Sequence, residues 1–368
     1  MTAQITSTST TTTLQNNGNT YMSVDTNDVV TMNVASLNGG QLGGNRNKII
    51  GGDFTTNPWQ RGTSFAAIAD NAYFADRWFN ALTTTAAITA SKVADAPTAA
   101  EAGTFTQHCI SLAVTTADTS IAAGDIAITR QHIEGLNAAS FGFGQAGSRN
   151  VTLSFWVKGT KTGIHCFSLG NSAQNRSYVA EYTINDTNTW EYKTITIPVD
   201  TSGTWLYDTG IGVRINFASM SGSTYHTTAN TWTAGVFFAT SNQVNALDST
   251  SNTFKIALVQ IELGTVATPF EHRSFGEELA LCQRYYQVVR CSNRDNGAAA
   301  NTKAYSTSTP FKTSMRVAPT ATFSAITSTG VGSRNLTSIT SEGAAYGTVA
   351  NASGNMYDIA DVLLTAEL

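Results

Sequence analysis

The side chains in this sequence best suited to chemistry are aromatic rings set two residues apart among polar neighbours. Trp190 and Tyr192, in Trp190-Glu-Tyr-Lys-Thr194, share one face of an extended chain, as do Trp205 and Tyr207 beside a glycine-rich turn. Trp156 stands on the polar side of its strand, and Arg214 and Asn216 lie on the outward side of a later one. A flat ring covers the C–H face of a sugar, and planar amides or guanidinium groups pair with its hydroxyls. These seven residues therefore form a candidate glycan-binding face. Large aromatics also dominate cores and subunit interfaces, so each ring taken singly has that alternative.

Hydrolytic chemistry is the competing reading. Gly62-Thr-Ser-Phe-Ala66 resembles a nucleophile elbow around Ser64 but ends in Ala, and no downstream Asp and His can be singled out as partners. Glu277 and Glu278 are adjacent, so on a helix they point about 100° apart and cannot flank one bond. The histidines, at 108, 132, 165, 226 and 272, lack ligand spacing, and the cysteines, at 109, 166, 282 and 291, lack paired spacing. No catalytic residue, metal or cofactor is assigned, and the cysteines read as small buried hydrophobes.

The composition narrows the setting. Only 12% of the 368 residues are charged, while Thr, Ser, Asn and Gly are abundant, which suits β-rich extracellular or virion proteins. A formal net charge of -4 gives no basic field, so a nucleic-acid partner is not expected. No apolar run approaches the roughly 20 residues of a membrane span, so membrane insertion is not expected either. The opening Met-Thr-Ala-Gln-Ile-Thr-Ser has neither the basic nor the apolar region of an export signal.

These groups must be positioned by strands. Residues 1 to 13, nearly all Ser, Thr and Ala, read as a tail that is flexible or ordered by a partner. Met22 and Val24, then Val30, Met32 and Val34, alternate with polar residues around Asp25-Thr-Asn-Asp28 and predict a hairpin. A lone hairpin is marginal in water, so these five residues are a candidate oligomer interface. Gly39-Gly40 and Gly43-Gly44 make a linker. Val151, Leu153, Phe155 and Val157 alternate with Thr152, Ser154, Trp156 and Lys158, and Ile211 to Phe217 repeats the pattern. Many such short strands imply a sandwich or jelly roll. Phe254, Ile256 and Leu258 share one parity of a closing strand. Ser274 and Glu277 then have capping-box spacing, and Phe275, Leu279, Cys282 and Tyr286 form one apolar helical stripe. The last 80 or so residues read as short strands with a thin core that needs docking or oligomerisation.

Two blocks carry a family resemblance. Asn47-Lys-Ile-Ile-Gly-Gly-Asp-Phe54, Asn57-Pro-Trp-Gln-Arg-Gly-Thr-Ser-Phe65 and Ala75-Asp-Arg-Trp78 form the first. Gln260-Ile-Glu-Leu-Gly264, Ala267-Thr-Pro-Phe-Glu271 with Arg273, and Glu278-Leu279 followed by Cys282-Gln-Arg-Tyr-Tyr286 form the second. They resemble fibre and tail proteins of tailed bacteriophages, in which such blocks bracket a jelly-roll domain similar to carbohydrate-binding modules. The resemblance implies a mainly β chain in four parts: an attachment and oligomerisation segment over 1–44, the jelly roll over 45–272, a connecting helix over 273–289, and a small β-domain over 290–368. It further implies a non-enzymatic virion protein, assembled in the host cytoplasm as a homotrimer. Such a protein contacts other virion proteins through its N-terminal segment and recognises host cell-surface polysaccharide. A head fibre or capsid decoration protein is the alternative within the virion, and a glycan-modifying hydrolase the alternative of another class. Modules of this kind often hold a structural calcium, and Asp53 and Glu262 lie on the corresponding runs, but the low charge count supports no metal assignment.

Overall fold

The computed structural model describes residues 44–298 and 304–368 and, ahead of them, the backbone of four strands, Gln4–Ser7, Thr11–Asn16, Asn19–Asp25 and Val30–Met32. These four strands pair in sequence order as one antiparallel sheet. The last two form the hairpin, with Met22 opposite Met32 and Val24 opposite Val30. Val34 and the residues of the turn lie outside the described residues. Within residues 1 to 13, read as a tail that is flexible or ordered by a partner, Gln4–Ser7 and the start of Thr11–Asn16 are strands. A ladder is built from backbone groups, and Thr-rich runs carry high β-propensity even where they bring little apolar surface.

Two six-stranded antiparallel sheets form a jelly-roll sandwich. The first orders Glu191–Ile197, Val151–Gly159, Thr253–Leu263, Cys109–Thr116, Ala87–Val93 and Ser64–Phe65. The second orders Trp232–Thr233, Ser177–Ile184, Gly163–Gly170, Ile211–Ser221, Ile126–Glu134 and Phe79–Thr83. Alternation sends Val151, Leu153, Phe155 and Val157 inward from the first sheet and Val213, Ile215 and Phe217 inward from the second, all in one buried core. Phe155 meets Phe217 edge-on across the layers, ring centroids 5.0 Å apart.

The closing strand changes face part-way. Phe254 and Ile256 belong to the core, but the ladder against Val151–Gly159 then shifts, Trp156 facing Ala257 and Ser154 facing Gln260. Two steps on one strand meet three on the other, which is a bulge, and Leu258 sits within it at φ 49°. Val259 and Ile261 then face the core. The expectation that Leu258 continues the inward parity is corrected: it joins Cys109 and Ala257 on the outer side, with Trp156 and Trp190 packed on them.

The two motif blocks meet at the sandwich's end. Asn47 accepts the N–H groups of Ile49 at 2.9 Å and Ile261 at 3.1 Å while its amide donates to the Val259 carbonyl, tying the entering chain to the closing strand. Gly51 has φ 68°, and a Cβ there would stand 2.2 Å from Asn57 Nδ2, so only glycine fits. Arg273 donates to the Ile49 carbonyl and pairs with Glu278 at 3.2 Å.

The connecting helix runs only from Phe275 to Gln283, with the Ser274–Glu277 capping box in place. Tyr286 already opens the strand Tyr286–Ala298, so the 273–289 span is corrected. The apolar stripe is corrected too: Phe275 is exposed, whereas Glu278, Cys282 and Tyr285 are buried. A buried carboxylate can displace an apolar residue because Glu278 accepts the Gly51 N–H and faces Arg273.

Beyond the helix, Tyr286–Ala298, Gly354–Thr365 and Thr320–Thr329 form one sheet, and Ala304–Pro310, Gly343–Ala350 and Val331–Thr337 a second. Their small core gathers Val289, Cys291, Met315, Tyr346, Val362 and Leu364. This domain docks on the sandwich through charge: Arg284 pairs with the fully buried carboxylate of Glu134 at 2.6 Å, Tyr285 donates to the same group, and Arg316 donates to the Thr209 carbonyl.

Candidate functional site

The structure gathers Trp156, Trp190 and Tyr192 on the outer face of the first sheet and separates them from the other four predicted residues. Trp156 and Tyr192 are directly paired across neighbouring strands, their rings 5.4 Å apart and tilted. Trp190 is half-buried beside them. Its indole N–H donates to Asp95 Oδ1 at 3.2 Å, and Lys158 Nζ lies 5.9 Å from its ring. Asp95 also holds Lys158 at 3.0 Å and Lys255 at 2.6 Å. Burial pushes the Asp95 carboxyl up, but hydrogen bonds and charge from Lys255 and Lys158 outweigh it and hold the group below the usual carboxylate range.

Trp156 and Tyr192 line a groove of about 390 Å³. Ser154 and the bulged Leu258 complete its floor, Pro269 and Phe270 form one wall, and Glu101 to Thr104 form the other. The second wall is a single helical turn, Ala99–Ala102, capped by Thr98 and ended by Gly103 at φ 68°. Glu101 Oε2 accepts from the Thr98 N–H and hydroxyl, and those bonds hold its carboxyl below the usual range. Thr104 bonds His272 Nε2 at 2.7 Å, and His272 stacks edge-on with Phe270. The Ser154 side chain is 3% exposed, and its hydroxyl has no hydrogen-bond partner among the described residues.

The remaining candidates lie away from this groove, Tyr207 and Arg214 partly exposed and Trp205 and Asn216 buried. Trp205 is buried: it stacks on Phe143 at 4.4 Å, meets Trp232 edge-on, and its N–H goes to the Ser202 carbonyl. The two-residue spacing held in the loop, but the loop folds onto the sandwich, and Tyr207 spends its hydroxyl on the Phe143 carbonyl. Arg214 and Asn216 are indeed on the outward side of their strand, but in the opposite sheet. That face is covered, with Phe238 and Ala239 buried against Ile128, Cys166 and Ala218. Asn216 is buried and bonds Ser168, while Arg214 donates to His132 Nε2 at 2.8 Å.

Ser64 lies exposed on a two-residue edge strand, and among the described residues no His or carboxylate bonds its hydroxyl. Glu262 is buried with its oxygens taken by Gln260 and Thr268, and Asp53 accepts from Thr55 and Thr106. Among the described residues no group of three or more acidic, His or Cys side chains could hold a metal. The four cysteines are free and buried, and burial pushes the Cys109 thiol up to about 12.

The sequence signal for the missed groove residues differs from case to case. Ser154 shares parity with Trp156, and Phe270 lies in the second motif block, but the walls at Glu101 and Thr104 follow from tertiary folding alone.

No family model and no curated relative matches the sequence. Among solved structures the chain is similar to the enzymatically active domain of tailspike protein 4 of bacteriophage CBA120, at 16% identity and TM-score 0.32, covering 59% of this chain and 21% of that one. It is similar to the carbohydrate-binding module TmCBM61, solved in complex with β-1,4-galactotriose, at 10% identity and TM-score 0.30, covering 59% of this chain and 99% of that one. A family 11 carbohydrate-binding module of a Clostridium thermocellum cellulosomal cellulase is similar at 15% identity and TM-score 0.27, covering 55% and 97%.

Proposed function

We propose that this chain is a non-enzymatic fibre or tail protein of a tailed-bacteriophage virion that recognises host-surface glycan in the groove floored by Trp156, Tyr192, Ser154 and Leu258. The observation that carries the reading is the groove itself: an aromatic pair and an unpartnered, nearly buried hydroxyl face an open channel on a sheet surface. Apolar rings take the C–H faces of a sugar, and the hydroxyl and the Glu101 carboxylate take its O–H groups. In this reading the jelly roll binds, the N-terminal strands join three copies and meet other virion proteins, and the chain is carried on a virion assembled in the host cytoplasm. It neither binds nucleic acid nor enters a membrane.

The test is retention of extracted host polysaccharide on immobilised protein, with the polymer's size distribution followed in parallel. We expect retention without shortening. Trp156→Ala is expected to weaken retention by about 1 to 3 kcal/mol, the range for loss of an aromatic stacking partner. Unchanged binding by this variant would remove the groove from the reading, and polymer shortening would remove its non-enzymatic part.

A further inference from the structure

The charges around the groove bear on which glycans it admits. Glu101 is the single ionisable wall residue: its Oε2 is held by Thr98, while Oε1 has no partner among the described residues. The described cations nearby already stand in ion pairs, two lysines to one carboxylate at Asp95. Lys158 and Lys255 share Asp95, Lys193 holds Glu191 at 2.7 Å, and Arg46 faces Glu271 at 3.9 Å. His272 is turned towards Asp53 at 3.6 Å and Thr104 at 2.7 Å. A uronate or sialate entering here would meet the Glu101 carboxylate, while the described cations nearby already stand in ion pairs, so its desolvation would be poorly repaid. A neutral sugar meets an acceptor in Glu101 Oε1 and a donor and acceptor in the Ser154 hydroxyl, which has no protein partner among the described residues.

We propose that the groove selects uncharged polysaccharide, with Glu101 excluding anionic sugars and Ser154 reading a hydroxyl of the bound ring. This rests on the reading of the groove as a glycan site and adds the class of glycan and the two residues that set it.

The experiment is affinity electrophoresis of the full chain at pH 7.5 through gels loaded with neutral polymers (a β-glucan, a galactan, a mannan) or acidic ones (polygalacturonate, polysialic acid). At least one neutral polymer should retard the protein, with the acidic polymers weaker by about tenfold or more. Glu101→Gln, which keeps the cap because glutamine also serves in a capping box, should narrow that ratio, and so should 1 M salt. Ser154→Ala should weaken neutral binding about tenfold or less while leaving the ratio in place. Acidic polymers bound as well as neutral ones by the parent would overturn this inference and leave the glycan reading standing, as would a ratio unmoved in Glu101→Gln. A parent that binds neither class, nor extracted host polysaccharide, would overturn the glycan reading and this inference with it.

Discussion

Arg61 and Glu367 are 306 residues apart in sequence and 2.9 Å apart in space. The same carboxylate also takes the guanidinium of Arg77, whose side chain is 1% exposed. Both arginines lie over tyrosines from the start of the C-terminal domain, Arg61 3.6 Å from the Tyr286 ring centroid and Arg77 3.6 Å from that of Tyr285. Asp76 contacts Arg61 at 3.4 Å, and Tyr286 gives its carbonyl to Gln60. Six residues of the two motif blocks, Gln60, Arg61, Asp76, Arg77, Tyr285 and Tyr286, thus build the seam between sandwich and C-terminal domain. Only Ala267 to Phe270 reach the groove.

That arrangement predicts a large effect from one carboxylate. Glu367→Ala leaves two largely buried guanidinium groups short of their partner, and breaking a buried ion pair costs about 3 to 5 kcal/mol. We expect the C-terminal domain to melt before the sandwich in calorimetry and to become sensitive to protease, while groove binding persists. A single unshifted transition would show that the charges do not hold the seam.

His132 predicts a pH dependence at the same seam. Its Nδ1–H donates to the Leu368 main-chain oxygen at 2.9 Å, and its Nε2 accepts from Arg214 at 2.8 Å, so the neutral ring fills both positions. Burial, then the Arg214 charge, holds it well below the usual imidazole range, with Arg130 and Arg77 adding to the effect. The unfolded chain therefore takes up a proton that the native chain refuses. Stability is intact above an ordinary imidazole pKa of about 6.5 and falls by about 1.4 kcal/mol per unit as pH drops below it. Urea melts at pH 7.5, 6 and 5 check this, against His132→Gln as reference because buried His165 pushes in the same direction. Equal slopes in parent and variant would count against His132.

How much of this was legible in the sequence depended on the range of the signal. Strict alternation located the strands and their inward residues, since a two-residue period is a local property of Val151-Thr-Leu-Ser-Phe-Trp-Val157. The bulge was not legible in this way: Ile256, Ala257, Leu258 and Val259 are all apolar, so parity alone carried Leu258 inward and the switch of face shows only in the ladder against Val151–Gly159. Outwardness, by contrast, is not the same as exposure. Arg214 and Asn216 point away from the core as parity requires, yet Asn216 is buried on Ser168 and Arg214 is held by His132 and the Ser172 carbonyl. Trp205 and Trp156 look alike in their local patterns. Only the partner across space, Phe143 for one and the half-open Tyr192 for the other, separates a core ring from a groove ring.

The N-terminal strands make the last prediction. Gln4–Ser7, Thr11–Asn16, Asn19–Asp25 and Val30–Met32 form a four-stranded sheet whose sequences are mostly Thr, Ser, Asn and Gln, and Met22 is 38% exposed. Independent stability of so small a sheet requires a buried apolar face. The pairs Met22 with Met32 and Val24 with Val30 supply a short apolar row, and copies of it around a threefold axis would give each row something to cover. Burial of such side chains contributes about 1.5 to 3 kcal/mol each, enough over three chains to hold the contact. Asp25 is the one charged residue in those strands, so the association should be insensitive to salt. Native mass measurement of the full chain at micromolar concentration is expected to give a trimer in both 0.1 M and 1 M salt. A change of Met22 and Val24 together to Asp should give a monomer whose sandwich still melts as in the parent. A monomeric parent would overturn the threefold contact, and a trimer unaffected by the double change would move that contact to the C-terminal domain.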